Sequence, residues 1–306
     1  MEKQIKILSV NVAKERGRKF PAGKIIINQQ GIEGDVHTDS VRPVSMMDIA
    51  VADQFYKITG AKPLEYGSFA ENITFQSETE TDIRIFDRFV SDEVQLEVII
   101  KGKPWHDQFR DPGHYLMPRE GIFCRVLRGG ILQSGDLMTF LPKIFRIKVI
   151  TLSDRAAKGI YKDRSGPEIV KMTEEIFSGL NWRFSIEKQI IPDDKLLLEQ
   201  LLETELKNSV DLIITTGGTG IGPRDITPEV MIKFIQKEIP GIMEMIRWKY
   251  GVEKPVVLVS RTLAGVSGTT LMFALPGSVT AVTEYMGEIS KHIEHLFYMI
   301  HAVEHH

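Results

Sequence analysis

The segment Asp211-Leu-Ile-Ile-Thr-Thr-Gly-Gly-Thr-Gly220 restricts the possible folds of this chain more than any other stretch. Val210–Thr215 reads as a buried strand, because its apolar residues run together and do not alternate with polar ones. The strand runs straight into three closely spaced glycines. Glycine tolerates positive φ and lets backbone N–H groups come close to a ligand. Such loops at the carboxyl ends of parallel strands commonly bind anions. Thr216 and Thr219 add hydroxyls, and the loop ends at Asp225, just before a helix start at Thr227-Pro228-Glu229 whose N-terminus carries partial positive charge. A plainer reading makes the glycines a tight turn and Asp225 a helix cap. On Gly-Gly-Thr-Gly alone the two readings stand level.

The surrounding pattern extends this strand into a domain. Strands are expected at Phe145–Leu152, Phe184–Ile191, Pro255–Val259 and Thr270–Leu275. Helices are expected at Gly166–Leu180, Lys195–Lys207, Thr227–Lys237 and Met243–Tyr250, with a long closing helix at Val279–Ile300. Strand alternating with helix implies a mainly parallel sheet covered on both faces, a three-layer α/β domain over 143–306. Residues 1–142 have a different texture. Short apolar runs at Ile5–Val12, Lys24–Ile27, Ile73–Phe75, Val94–Ile100 and Ile122–Leu127 are separated by Gly, Pro and Asp, as in an all-β barrel or sandwich. One helix interrupts them at Ser45–Ile58, with Ser45 as its cap. Leu141-Pro142-Lys143 is the linker, and 306 residues agree with two domains at roughly 150 residues each.

Composition narrows the partners. A formal charge of -3 supplies no global positive field for nucleic acid or an anionic membrane, though a local basic pocket for a small anion remains open. Cys124 is the only cysteine, which excludes an intramolecular disulfide and a multi-cysteine zinc site and fits a reducing cytoplasm. The N-terminus lacks the apolar run of a signal peptide, and no stretch of 18 apolar residues occurs, so a cytoplasmic protein without a membrane span is expected.

Several further strand ends carry polar residues. Ser153-Asp154-Arg155 follows the first strand, Pro192-Asp193-Asp194 the second, Ser260-Arg261 the segment Pro255–Val259, and Pro276-Gly277-Ser278 the last. Taken singly, each is an ordinary turn or helix start. Together with Asp163, Arg224-Asp225, Thr227-Pro228 and Ala264-Gly265, they form an ordered set that resembles the Mog/MoaB family of molybdopterin-binding proteins, which includes molybdopterin adenylyltransferase, over about residues 144–300. The resemblance implies a three-layer α/β domain assembling as a homotrimer. It implies that molybdopterin and ATP are substrates and that Mg²⁺ assists. The family's catalytic aspartates fall on Asp193 and Asp225, both also metal ligands. Cofactor contacts fall on Ser153, Asp154, Thr216, Gly217, Gly218, Thr219, Gly220, Ser260, Arg261 and Ser278.

In the first half, Gly31-Ile-Glu-Gly34-Asp35-Val-His37, Arg42-Pro43-Val44-Ser45, Gly67-Ser-Phe69-Ala-Glu71-Asn72 and Arg119-Glu-Gly-Ile-Phe-Cys124-Arg125 occur in order. Asp35, His37 and Arg42 are able to hold an anion, but taken alone they read first as a loop with a helix cap, and His37 equally as a structural histidine. The set resembles the MOSC domain, the β-barrel module of molybdenum-cofactor sulfurases. That resemblance implies pterin binding, with the phosphate contacts falling on His37, Arg42 and Arg119. MOSC-like members often carry a cysteine in the segment that here reads Gly102-Lys-Pro-Trp-His-Asp-Gln-Phe109, which has none. Cys124 lies in an apolar run, the setting of an inert thiol. Taken together, the two halves point to molybdenum cofactor biosynthesis, with adenylylation in the second domain and a molybdenum-insertion protein or molybdoenzyme as partner. The alternatives are a non-catalytic cofactor carrier and sulfur transfer through Cys124.

Overall fold

The computed structural model describes residues 3–77, 81–102 and 120–303. They form two compact units, Met1–Lys143 and Ile144–His306.

The first unit contains β1 (Lys3–Val12), β2 (Phe20–Ala22), β3 (Lys24–Asn28), β4 (Gly31–Ile32), β5 (Val44–Asp48), α1 (Ile49–Thr59), β6 (Ile73–Ser77), β7 (Arg88–Val90), β8 (Gln95–Lys101), β9 (Ile122–Arg128), β10 (Gly130–Gln133) and β11 (Leu137–Leu141). Seven strands close a ring in the order β1-β11-β7-β8-β9-β5-β6 and back to β1. Each neighbouring pair is antiparallel except β5 and β6, which the α1 crossover leaves parallel. β2 extends the ring beside β1, and β10-β3-β4 forms a small separate sheet. Ile5, Ile7, Val44, Phe75, Phe89, Val98 and Phe140 fill the interior. The ring is the all-β barrel expected from the short apolar runs. The helix starts later than expected: Val44–Asp48 is a strand, and α1 begins at Ile49 with Asp48 accepting the Ala50 amide at its N-cap. Ser45 is held in the sheet by Asn72, whose side-chain oxygen accepts the Ser45 amide at 3.1 Å and its hydroxyl at 2.9 Å. With Val44 to Met47 all buried, apolar spacing alone does not separate strand from helix there.

The second unit contains β12 (Phe145–Leu152), α2 (Asp154–Ala157), α3 (Ser165–Gly179), β13 (Phe184–Ile191), α4 (Lys195–Lys207), β14 (Leu212–Thr216), α5 (Thr227–Met231), β15 (Lys237–Glu238), α6 (Pro240–Gly251), a 3-10 helix (Pro255–Val259), β16 (Leu263–Ser267), β17 (Thr270–Leu275), α7 (Val279–Ile289) and α8 (Ile293–Ile300). The sheet order is β13-β12-β14-β17-β16-β15. The first four strands are parallel, and β16 and β15 each run antiparallel to the neighbour before them. All of β14 is buried. Side chains alternate across the sheet. Ile150, Leu152, Ile213 and Met272 pack with Leu198 and Leu202 of α4 and Val230 and Met231 of α5. On the other face Phe145 stacks on Trp182 with centroids 4.6 Å apart and meets Phe177 of α3 and Phe297 of α8 edge-on. The sheet therefore sits between two helical layers.

Three expectations need correction. Pro255–Val259 is a 3-10 helix; Pro255 has no amide to give a ladder, and Gly251 lets Leu258 pack where a Cβ would lie 2.4 Å from Leu258 Cδ2. The strand beside β17 is β16, joined by a tight turn at Gly268, φ 58°. The helix from Thr227 stops at Met231, and the chain bends to lay Lys237–Glu238 on the sheet edge. The closing helix breaks between Ile289 and Ile293, where the Ser290 hydroxyl donates to the Gly287 carbonyl. Among the described residues, no helix is long and apolar enough to cross a membrane.

Phe145→Ala removes the centre of the aromatic cluster. The expected loss is about 3–5 kcal/mol of unfolding free energy, read by urea titration following Trp182 fluorescence.

Candidate functional site

The loops after β12, β13, β14 and β17 lie at one edge of the second sheet. Because β16 runs antiparallel to β17, pairing Leu263 with Ala274, the residues before it reach that edge too. Ser260-Arg261 therefore arrives where the sequence placed it, by a different route. The Arg261 amide donates to the Thr219 carbonyl at 2.9 Å, and the Thr219 and Ser260 hydroxyls lie 3.3 Å apart.

The glycine loop is seated by close backbone contacts. Gly217 (φ 98°) donates its amide to the Leu275 carbonyl at 3.1 Å, and a Cβ there would lie 2.4 Å from the Leu152 carbonyl oxygen. Gly218 (φ 62°) accepts the Thr227 amide, and its Cβ would lie 2.6 Å from the Thr227 hydroxyl. Thr227 Oγ1 donates to the Gly217 carbonyl, and Thr216 Oγ1 to the Pro276 carbonyl, each at 2.8 Å. Among the described residues, the amides of Gly218, Thr219 and Gly220 have no protein acceptor. Gly217, in contrast, is engaged in holding the turn.

Two carboxylates border this loop. Asp193 and Asp154 clasp one another through the backbone: the Asp154 amide donates to Asp193 Oδ2 at 3.0 Å, and the Asp193 amide to Asp154 Oδ1 at 3.3 Å. Arg224 joins them, 2.6 Å from Asp154 Oδ2 and donating to the Asp193 carbonyl at 3.3 Å. Asp225 Oδ2 accepts the Gly222 amide at 2.8 Å, and a Cβ on Gly220 would lie 2.7 Å from that same oxygen. Among the described residues, no group of three or more His, Cys, Asp or Glu side chains forms a metal cage. Asp193 and Asp225 offer a small set of hard oxygens. That set fits Mg²⁺, which takes one or two carboxylates and fills its shell with water and phosphate oxygens.

A cavity of about 470 Å³ opens beside the loop. Ser153, Thr216 and Ser278 line it, together with Arg155, Tyr161 and Arg164. Ser153 and Ser278 also cap α2 and α7, accepting the Ala156 and Ala281 amides, each at 3.2 Å. Asp193, Asp225 and Arg261 are not in the lining, so the edge carries two adjacent regions. The Arg155 guanidinium lies 5.6 Å from the Tyr161 ring centroid. Sequence reasoning missed Tyr161, Arg164 and Ser165 as cavity residues; the available signal was a basic residue immediately before the start of α3.

Comparison with known proteins agrees with this architecture. Residues 148–295 match the family described as probable molybdopterin binding domain. The chain is 36% identical over 140 residues to the molybdopterin adenylyltransferase of Helicobacter pylori (strain J99), covering 45% of this chain and 77% of that one. It is 34% identical over 160 residues to the molybdopterin adenylyltransferase of Pyrococcus furiosus, covering 51% of this chain and 90% of the relative. The chain belongs to this molybdopterin-binding family. Gephyrin of Dictyostelium discoideum, 33% identical over 162 residues, matches 51% of this chain, but the match spans only 22% of gephyrin's own length. The family match lies within the second unit and places the chain in molybdenum cofactor biosynthesis.

The first unit holds a polar cluster that the sequence indicated only in part. Lys19, fully buried, places Nζ 2.6 and 2.7 Å from the two oxygens of Asp35 and 3.3 Å from His37 Nδ1. Asp35 also accepts the Ala13 and His37 amides and the Asn72 side-chain amide at 3.0–3.1 Å. Burial opposes ionisation of Asp35, but hydrogen bonds from His37 and Lys19 outweigh it and hold the carboxyl well below the usual range. Burial pulls the Lys19 ammonium down, partly offset by Asp35. The His37 side chain is 39% exposed, and Arg42 lies over the Phe123 ring at 6.0 Å. Arg119 lies outside the described residues. Cys124 is fully buried, its Sγ 3.7 Å from Met46 Sδ; burial, then the Glu97 charge, pushes its thiol far above the usual range.

Two outcomes follow. Native protein at pH 8 leaves Cys124 unmodified by iodoacetamide over an hour, and the thiol reacts only after denaturation, as intact-mass spectrometry reads. Gly217→Ala combines a positive φ with a backbone collision and lowers stability by about 1–3 kcal/mol, measured by thermal denaturation.

Proposed function

We propose that the second unit is a Mg-ATP-dependent molybdopterin adenylyltransferase. A terminal phosphate oxygen of molybdopterin attacks the α-phosphorus of ATP, the bond to the bridging oxygen breaks, and pyrophosphate leaves. The observation that carries this reading is the pair Asp193 and Asp225 flanking a glycine loop with three amides that have no acceptor among the described residues, beside a cavity lined by hydroxyls and arginines. Transfer at phosphorus is mostly positioning and charge neutralisation, and this edge supplies both. The loop amides hold phosphate oxygens. Ser153, Thr216 and Ser278 orient the pterin in the cavity, with Arg155 and Arg164 facing its phosphate. Asp193 and Asp225 would hold Mg²⁺, and the ion would supply positive charge for the departing pyrophosphate.

For the first unit we propose a MOSC-like role, binding or handing over a pterin cofactor through His37, Arg42 and Arg119. Lys19 and Asp35 engage one edge of the His37 imidazole, leaving the other edge for a ligand. The burial of Cys124 speaks against sulfur transfer there. The protein works as a homotrimer in the cytoplasm and passes its product to a molybdenum-insertion protein or molybdoenzyme.

Pyrophosphate release from Mg-ATP is expected only when molybdopterin is present, and Asp225→Asn and Asp193→Asn each lower it by roughly 100-fold or more. Tight pterin binding without release would make the protein a carrier.

A further inference from the structure

The resemblance places Arg261 among the residues that contact cofactor. Its surroundings say otherwise. Nε donates to the Gly220 carbonyl at 2.7 Å and Nη2 to the Asp225 carbonyl at 2.8 Å, while Nη1 is paired with the Glu229 carboxylate. All three guanidinium nitrogens are thus engaged on one short stretch, and the Arg261 amide ties the same strand end to Thr219. Arg261 is absent from the cavity lining. What it holds is the segment Gly220-Ile-Gly-Pro-Arg-Asp225, gripped at its first and last carbonyls.

Within the segment, Arg224 reaches out to Asp154 and the Asp193 carbonyl, and the Asp225 amide donates to the Gly222 carbonyl at 3.0 Å, while Arg261 bridges the carbonyls at its two ends. Ile221 is 79% exposed, and no helix or strand runs through it. Inside it the Asp225 carboxylate folds back onto the Gly222 amide, and Gly220 and Gly222 leave room for the fold: a Cβ on either would lie 2.7 or 2.9 Å from Asp225 Oδ2. A flexible six-residue loop has many conformations, and joining its ends through a planar, multi-donor group removes most of them. A lysine in the same place offers a single charged point and does not bridge both carbonyls with fixed geometry.

We infer that Arg261 is a positioning residue: it clamps the Gly220–Asp225 loop so that the Asp225 carboxylate faces the reaction site, and it does not contact the pterin. The inference rests on the adenylyltransferase reading only for its effect on rate; the clamp itself is a property of the loop.

The test uses the full chain carrying Arg261→Ala, Arg261→Lys or Asp225→Asn. Hydrogen exchange of the peptide spanning 218–227 is expected to rise at least tenfold in Arg261→Ala, and molybdopterin affinity is expected to stay within about twofold of the parent. Pyrophosphate release falls mainly in kcat, by roughly 100-fold, as misplacement of a reacting group does. Arg261→Lys does not restore it. Combining Arg261→Ala with Asp225→Asn adds little to Asp225→Asn alone, because both act through one carboxylate. A pterin affinity reduced tenfold or more with unchanged exchange would make Arg261 a ligand and overturn the clamp. Unchanged exchange together with unchanged affinity would overturn it as well. If the parent protein releases no pyrophosphate, the adenylyltransferase reading fails, while the exchange and affinity data still decide the clamp.

Discussion

Between the carbonyl oxygen of Leu152 and the α-carbon of Gly217 there is no space for a methyl group. The contact joins the end of β12 to the turn after β14, and the arrangement of the candidate site depends on it. It brings the Gly217 amide to β17 through Leu275 and leaves the next three amides without protein acceptors among the described residues. A side chain at 217 would push the loop away from the sheet and carry Gly218 off Thr227. Loops at this edge are otherwise tied to each other: Asp154 to Asp193, Arg224 across both, Arg261 across the Asp225 loop. A rigid sheet thus sets the position of groups that sit on irregular backbone, as an active site on strand ends requires.

The parallel core was legible because its signal is chemical and local. Leu212-Ile-Ile gives a strand no wet face, and the glycines after it stop the strand where it stops. Asp193 and Asp225 were legible as acids directly after strands or before helices. What escaped was set by tertiary packing. The run Pro255–Val259 is as apolar as a strand, yet Pro255 and the close approach of Leu258 to Gly251 turn it into a 3-10 helix. The strand that replaces it, Leu263-Ala-Gly-Val-Ser, is too short and too small in side chain to declare itself, and Gly265 is needed because Ile235 lies against it. Ser45 looked like a helix cap because Ser prefers caps, but Asn72, far along the chain, had a stronger hold on it.

In the barrel the same lesson concerns charge. His37 and Asp35 were visible as a pair of polar residues two apart. Lys19 was not, since a lysine after a run of charged and glycine residues reads as solvated surface. Its ammonium is instead fully enclosed, balanced by Asp35 and bordered by the buried Glu71. A buried ion pair of this kind adds little net stability over an apolar substitute, but removing one member leaves the other uncompensated. The cluster fixes which groups meet at this point of the barrel more than how tightly they are held. Arg261 belongs to the same class of residue in the other unit: its type and place were readable, its engagement was not.

The barrel ring closes between its first and last strands, with Lys3 opposite Phe140 and Lys6 opposite Leu137. During synthesis from the N-terminus, the strand that seals the ring is the last of the unit to leave the ribosome. Until then Lys3–Lys6 of β1 present an open edge, because β6 covers the other side and β2 pairs only with Val10–Val12. The nascent unit therefore passes through a stage with an exposed, apolar-backed strand edge, the kind of edge that pairs with other chains. Emergence of β11 ends that exposure, so a ribosomal pause while Leu137–Leu141 is unmade or still inside the exit tunnel prolongs the vulnerable stage, and one after the strand has emerged does not.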